Sequence, residues 1–226
     1  MSKTSSPTLR ADSARDAVMS DPLQRIRTAL AGSAEHPRSF ADLGLPTPLT
    51  AMMVTPEFNA RLKPAAVLLA VMTFGAEPSV LMTRRSERLR EHRGQISFPG
   101  GRRDDTDASL VLSALREARE EVGLPDETVE IVGFLDDYPT LSGYRITPVV
   151  GFVATPFTPA PHADEVAEVF DLPLAVALAA ENYERRIERH GGVEIPTLEL
   201  HWGSYRIWGA TAAILWGFRN KVIGGE

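Results

Sequence analysis

Residues Phe98–Leu124 read FPGGRRDDTDASLVLSALREAREEVGL, and they constrain the fold more than any other stretch of the chain. A Gly-Gly turn and an acidic loop lead into a helix. Ala108, Val111, Leu112, Leu115, Ala118 and Val122 recur at steps of three and four, which predicts one buried stripe. Asp104, Asp105, Thr106 and Asp107 suit an N-cap and the positive end of the helix dipole. Gly123, followed by Leu124-Pro125, suits a stop. The charge near the C-terminal end is badly placed for a helix on its own. Glu117 shares a face with Glu121, four residues on, and neighbours Glu120, three residues on. Like charges at these spacings cost roughly 0.2–0.5 kcal/mol per pair, and carboxylates in the last turn oppose the dipole. Arg116 and Arg119 offset part of this, although the Arg116–Glu120 pair runs in the weaker orientation.

Strings of this kind also occur as solvated helix faces with internal ion pairs. The loop ahead of this one favours a ligand site. Gly100 and Gly101 permit a tight turn and a close backbone approach. A glycine loop beside converging carboxylates makes an oxygen-rich pocket, which suits a hard divalent cation, Mg²⁺ or Mn²⁺.

The end of this segment, Arg116, Glu117, Glu120, Glu121 and Gly123, resembles the R-E-x-x-E-E-x-G ending of the Nudix box, in register. The start departs from that pattern: one residue more separates Gly101 from Arg116, and Asp107 stands one position too far away to match the usual acidic residue. A one-residue insertion near the helix start accounts for this and leaves the role of Asp107 open. The resemblance implies that Glu117, Glu120 and Glu121 hold Mg²⁺ or Mn²⁺. It also implies that Arg116 belongs to the catalytic set, and that Glu117 or the late-loop Glu165 accepts a proton from water.

Val80–Gly101 (VLMTRRSERLREHRGQISFPGG) narrows the resemblance to the coenzyme A pyrophosphatase branch of the Nudix hydrolases, through Leu81, Thr83, Arg85, Ser86, Leu89, His92, Gly94, Phe98, Pro99, Gly100 and Gly101. The implied substrate is coenzyme A or a derivative, cut to 3′,5′-ADP and 4′-phosphopantetheine. Arg84, Arg85, Thr83, Ser86 and Gly101 are the substrate-binding candidates. Arginines cluster here in a chain whose net charge is −6, and Arg forks bind phosphate. His92 is read as a packed or supporting histidine. Another Nudix substrate (ADP-ribose, NADH or a dinucleoside polyphosphate) is the first alternative. A non-catalytic nucleotide sensor is the second, although such a protein is expected to lose box carboxylates that are all retained here.

The remaining chain is read around this centre. Residues 1–20 are expected to be a mobile tail. Residues 21–62 hold a helix at Asp21–Ala31, with Asp21 as N-cap and Pro22 at N1, and then an irregular proline-containing stretch on the domain surface. Residues 63–226 form the main domain. Ala65–Thr73, Ser79–Thr83, Thr128–Leu135 and Tyr144–Ala154 read as strands. Strands, then a helix, then strands match the α/β/α sandwich of the resemblance, a mixed sheet between helices. Ala163–Pro173 (ADEVAEVFDLP) carries Glu165, with Glu168 as the second choice. Leu174–Ala180 and Thr211–Phe218 read as helices, and the tryptophans as core or dimer packing, which leaves room for a homodimer. No run of 18 apolar residues and no signal-peptide core occur. The absence of cysteine excludes disulfides and thiolate metal sites, and fits a cytoplasmic enzyme. The acidic balance argues against general nucleic-acid binding.

Overall fold

A computed structural model describes residues 21–35, 55–89, 92–190 and 193–224. The expected tail at 1–20 and most of the proline-containing stretch lie outside these residues. Helix α1 (Pro22–Leu30) starts as its sequence predicts, with Asp21 accepting from the Leu23 amide. The end of the stretch read as irregular is instead a short helix, α2 (Pro56–Arg61), capped by Thr55. Its Thr-Pro start is a legible N-cap signal.

The central sheet is built from β1 (Lys63–Met72), β2 (Ser79–Arg85), β3 (Ile96–Ser97), β4 (Gly100–Arg102), β5 (Val129–Phe134), β6 (Tyr138–Pro139), β7 (Tyr144–Val153) and β8 (Val166–Pro173). Its spine runs β3-β2-β1-β7-β5, while β4 pairs with β1, β6 with β7 and β8 with β2. β1 and β7 are parallel and the other pairings are antiparallel, so the sheet is mixed. The apolar strands β1 and β7 are its buried centre, as near-continuous hydrophobic runs require.

Strand alternation divides the core. Ala66, Leu68, Ala70, Leu81 and Val149 face helix α3 (Leu110–Val122) and bury Ala114, Leu115, Ala118 and Val122 against the sheet. Leu69, Val71, Val80, Met82 and Val150 face the other side, where α1 and a final helix, α5 (Gly209–Ile223), supply Ile26, Leu30, Leu215 and Phe218. The result is the expected α/β/α sandwich. The buried stripe of α3 is rotated from the predicted one: Leu112 is 48% exposed, while Ser113 and Glu121 are buried. Both inward polar side chains are hydrogen-bonded, Ser113 to Asp107 and Glu121 to the Gly100 amide.

After β8 come a short helix, α4 (Leu174–Leu178), and a second sheet of β9 (Tyr183–His190), β10 (Val193–Trp202) and β11 (Tyr205–Trp208) in the order β11-β10-β9. The β9–β10 pair has no apolar alternation in β9 to announce it (YERRIERH) and escapes a sequence reading. The small sheet joins the large one through an aromatic stack of Phe170, Tyr205 and Trp202, with the first two rings 3.9 Å apart. Trp216 packs edge-on against Tyr183.

Candidate active site

Helix α3 is held at both ends. The N-cap is Ser109, not one of the preceding aspartates; its hydroxyl accepts from the Leu112 amide. Glu35, from the N-terminal segment, accepts from the Leu110 amide at 2.8 Å. At the other end Gly123 adopts φ 73° and returns its N–H to the Arg119 carbonyl at 3.0 Å. The last carbonyls then bind the loop before β8: Ala160 N–H donates to Val122 O, and His162 N–H to Glu121 O, each at 2.9 Å. Glu165 and Val166 N–H donate back to His162 O. This chain of backbone bonds brings Glu165, remote in sequence, to the acidic end of the helix.

Glu121 is 4% exposed. One carboxylate oxygen accepts the Gly100 N–H at 3.1 Å, and the other lies 4.0 Å from Arg85 Nη1. Burial pushes its carboxyl up to about 7; the Gly100 amide opposes this, and the charges of Glu117 and Glu165 add to it. Glu117 is also raised, mainly by burial and further by Glu120 and Glu165, against the pull of Arg116. Gly101 makes room for it: a Cβ there would stand 2.5 Å from the Glu117 carboxyl carbon. Gly100, at φ 155°, has no room either; a Cβ would stand 2.5 Å from the Ala66 carbonyl. Both glycines of the turn are therefore required, Gly101 by the carboxylate and Gly100 by strand β1.

Asp107 resolves the misregister at the start of the box. It is buried and accepts from Arg116 Nε at 3.1 Å, Arg116 Nη2 at 3.0 Å, the Ser113 hydroxyl and the Asp104 amide. These bonds, above all those from Arg116, hold its carboxyl at about 2. Arg116 also reaches the Arg102 carbonyl, Glu117 at 3.0 Å and Glu120 at 3.1 Å. Its donors are thus occupied in tying the acidic loop to the helix. Glu120 stays at the rim, its side chain 56% exposed.

The other expected residues divide by strand face. Thr83 is buried, with its hydroxyl on the Ser97 carbonyl, and Ser86 is buried, with its hydroxyl accepting from the Arg88 amide. Both shape the end of β2: the Thr83 hydroxyl donates within the sheet, and Ser86 Oγ serves as an acceptor. Arg84 turns to the face away from α3, onto Glu168, which also accepts from the Tyr205 hydroxyl. Glu168 is thereby removed from the acidic cluster. His92 sits exposed in a turn at φ 57° with its ring on Gln95. Sequence reasoning missed Ser113 and Glu35. A serine in the middle of an otherwise apolar helix face was the available signal for Ser113; Glu35 left none.

Among the described residues, no three carboxylate or imidazole groups are already gathered at metal-binding distance. The donor set still fits a hard divalent cation: oxygen ligands only, with buried Glu121 and partly buried Glu117 both raised in proton affinity, chiefly by burial, and Glu121 further by the charge of Glu117. Such a cluster discharges its repulsion by protonation or by binding a cation.

The NUDIX domain pattern matches residues 62–189. The uncharacterized Nudix hydrolase NudL of Pectobacterium atrosepticum is 43% identical over 157 residues, covering 67% of this chain and 78% of that one. The NudL protein of Yersinia enterocolitica is 42% identical over 165 residues, covering 73% and 84%. Among solved structures, a C. elegans Ap4A hydrolase binary complex aligns with a TM-score of 0.44 at 17% identity, over 50% of this chain and 83% of that one. The chain belongs to the Nudix family. It is a Nudix hydrolase, a pyrophosphohydrolase of nucleoside diphosphate derivatives, in a family that generally requires divalent metal ions.

Proposed function

We propose that this enzyme hydrolyses the pyrophosphate of coenzyme A or an acyl derivative, giving 3′,5′-ADP and 4′-phosphopantetheine or its acyl form. One observation carries the reading. The segment that resembles the coenzyme A branch is wrapped around the Nudix carboxylate Glu121, with Arg85 beside one oxygen and the Gly100 amide on the other. The segment behind the branch reading and the carboxylate behind the Nudix reading thus lie in contact, which supports one shared site.

Glu117 and Glu121, with Glu120 at the rim, would hold Mg²⁺ or Mn²⁺. When bound, a divalent cation supplies charge neutralisation for the pyrophosphate and acidifies water. The chain's own residues do the rest. Arg116, fixed by Asp107, orients Glu117. Water attacks one phosphorus of the anhydride, the bridging P–O bond breaks, and two phosphate monoesters leave. Glu165 takes the water's proton and passes it to solvent. It is half exposed, with His162 3.8 Å away, whereas Glu117 is held by Arg116 at 3.0 Å. Gly101 keeps the backbone close to Glu117 and out of the substrate's path. Arg85 supplies a guanidinium fork for a phosphate. The same reading places the enzyme with its small-molecule substrate in the cytoplasm, without a nucleic-acid or membrane partner. No helix among the described residues is long and apolar enough to cross a membrane.

The test is product analysis with coenzyme A and ADP-ribose side by side in Mg²⁺. Coenzyme A is expected to lead in kcat/KM by about tenfold or more, equivalent to about 1.4 kcal/mol of transition-state discrimination. ADP-ribose turned over as well as coenzyme A overturns the assignment.

A further inference from the structure

Arg84 and Arg85 are consecutive, but strand alternation sends them to opposite faces of the sheet. Arg84 is anchored. Its Nη2 lies 2.6 Å from Glu168, whose second oxygen accepts from Tyr205 at 2.7 Å, and Tyr205 is stacked on Phe170. Arg85 is not anchored in this way. It emerges on the α3 side where the register of β2 and β8 shifts between Arg84 and Arg85, a bulge of the kind that re-aims a side chain. Its backbone is pinned on both sides: Arg85 N–H donates to Gln95 O, Gly94 N–H to Arg85 O, and Ser86 N–H to Glu165 O. Its guanidinium is held far more loosely. Nη1 stands 4.0 Å from Glu121, too far for a hydrogen bond, and Nε is buried with no partner. Charge keeps the group beside Glu121, while a buried donor without an acceptor costs free energy. A firmly placed backbone thus carries a side chain ready to leave its partner.

We propose that Arg85 is an exchange residue: it is the counter-charge of Glu121 while no cation is bound, a divalent cation competes with it for that carboxylate, and cation loading frees its guanidinium for a substrate phosphate. This rests on the metal site of the proposed function. It separates Arg85 from a residue that only binds substrate, because it makes two effects of opposite sign. Removing the charge relieves competition for Glu121 and strengthens cation binding; the same removal weakens the substrate complex.

The experiment compares wild type, Arg85→Gln and Arg85→Lys in the full chain. Mn²⁺ binding without substrate is followed by the electron paramagnetic resonance of free Mn²⁺, and KM and kcat are measured with coenzyme A. Arg85→Gln is expected to bind Mn²⁺ about tenfold more tightly while KM rises about tenfold. Arg85→Lys keeps the charge but not the fork, so its Mn²⁺ affinity stays within about twofold of wild type while KM still rises. Unchanged or weaker Mn²⁺ binding by folded Arg85→Gln, with wild type binding normally, overturns the exchange and leaves the metal site standing. A wild type that binds no Mn²⁺ overturns both. If Arg85→Gln does not fold, the wild-type protein decides: the Arg85 Nε–H resonance should shift and exchange faster with solvent as Mg²⁺ is added, and an unmoved resonance rejects the exchange.

Discussion

Asp107 receives both the Nε and the Nη2 of Arg116, nine residues further along, at 3.1 and 3.0 Å. This largely buried, two-pronged pair fastens the acidic loop to the helix that carries the carboxylates of the candidate site. Arg116 then reaches Glu117, so the pair fixes the carboxylate through its neighbour.

Asp107→Asn should therefore cost about 3 kcal/mol in stability, the range for breaking one side of a buried ion pair. Urea unfolding at neutral pH measures it, and a loss below about 1 kcal/mol would show the pair to be dispensable.

The same carboxylate sets an acid response. Its folded-state value of about 2 lies below the ordinary 3.8, so its stabilisation is complete above about pH 4 and is lost as pH falls through about 2. Glu199, held at about 2 chiefly by Arg206, acts in the same window. The diagnostic is thus a difference: Asp107→Asn should lose less stability than wild type between pH 4 and pH 2, measured by thermal unfolding.

Glu121 behaves in the opposite sense. Its folded-state value is raised from 4.5 to about 7, so the metal-free fold pays no penalty below about pH 4.5 and an increasing one as pH rises through 7. In EDTA at pH 8, Glu121→Gln should be more stable than wild type by about 2 kcal/mol. It should also lose Mg²⁺-dependent turnover and the rise in Tm that Mg²⁺ gives wild type. Wild-type turnover in this variant would remove Glu121 from the site.

The two glycines of the turn should fail differently. Gly101→Ala displaces the end of the Glu117 side chain rather than backbone and is expected to lower kcat/KM about 100-fold with little change in Tm. Gly100→Ala presses on the backbone of β1 and should lower Tm outright. Kinetics and thermal melts on the two variants separate the roles.

Glu35→Ala removes an acceptor from the first turn of α3 and should cost about 1 kcal/mol. A fall in Tm confirms that the N-terminal segment steadies α3; no change would make that contact incidental.

Pattern alone carried the centre of this protein. The apolar runs of β1 and β7, the Asp21-Pro22 start, the Gly123 stop and the Glu117–Glu120–Glu121 spacing are local signals, because backbone period and capping chemistry act over a few residues. Three matters needed the tertiary structure. Asp107 could be placed only when Arg116 and Ser113 were seen to share it, since a one-residue insertion disappears once the loop folds back. Arg84 and Arg85, adjacent and alike in sequence, part to opposite faces, and only the partners across β8 and α3 distinguish the anchored one from the loosely held one. Glu165 joins the cluster through Ala160 and His162, whose amides bind the carbonyls at the end of α3. The local code determined which residues could do the chemistry. Long-range hydrogen bonds and strand facing decided which of them meet, because those contacts join segments whose separation along the chain leaves no periodic trace.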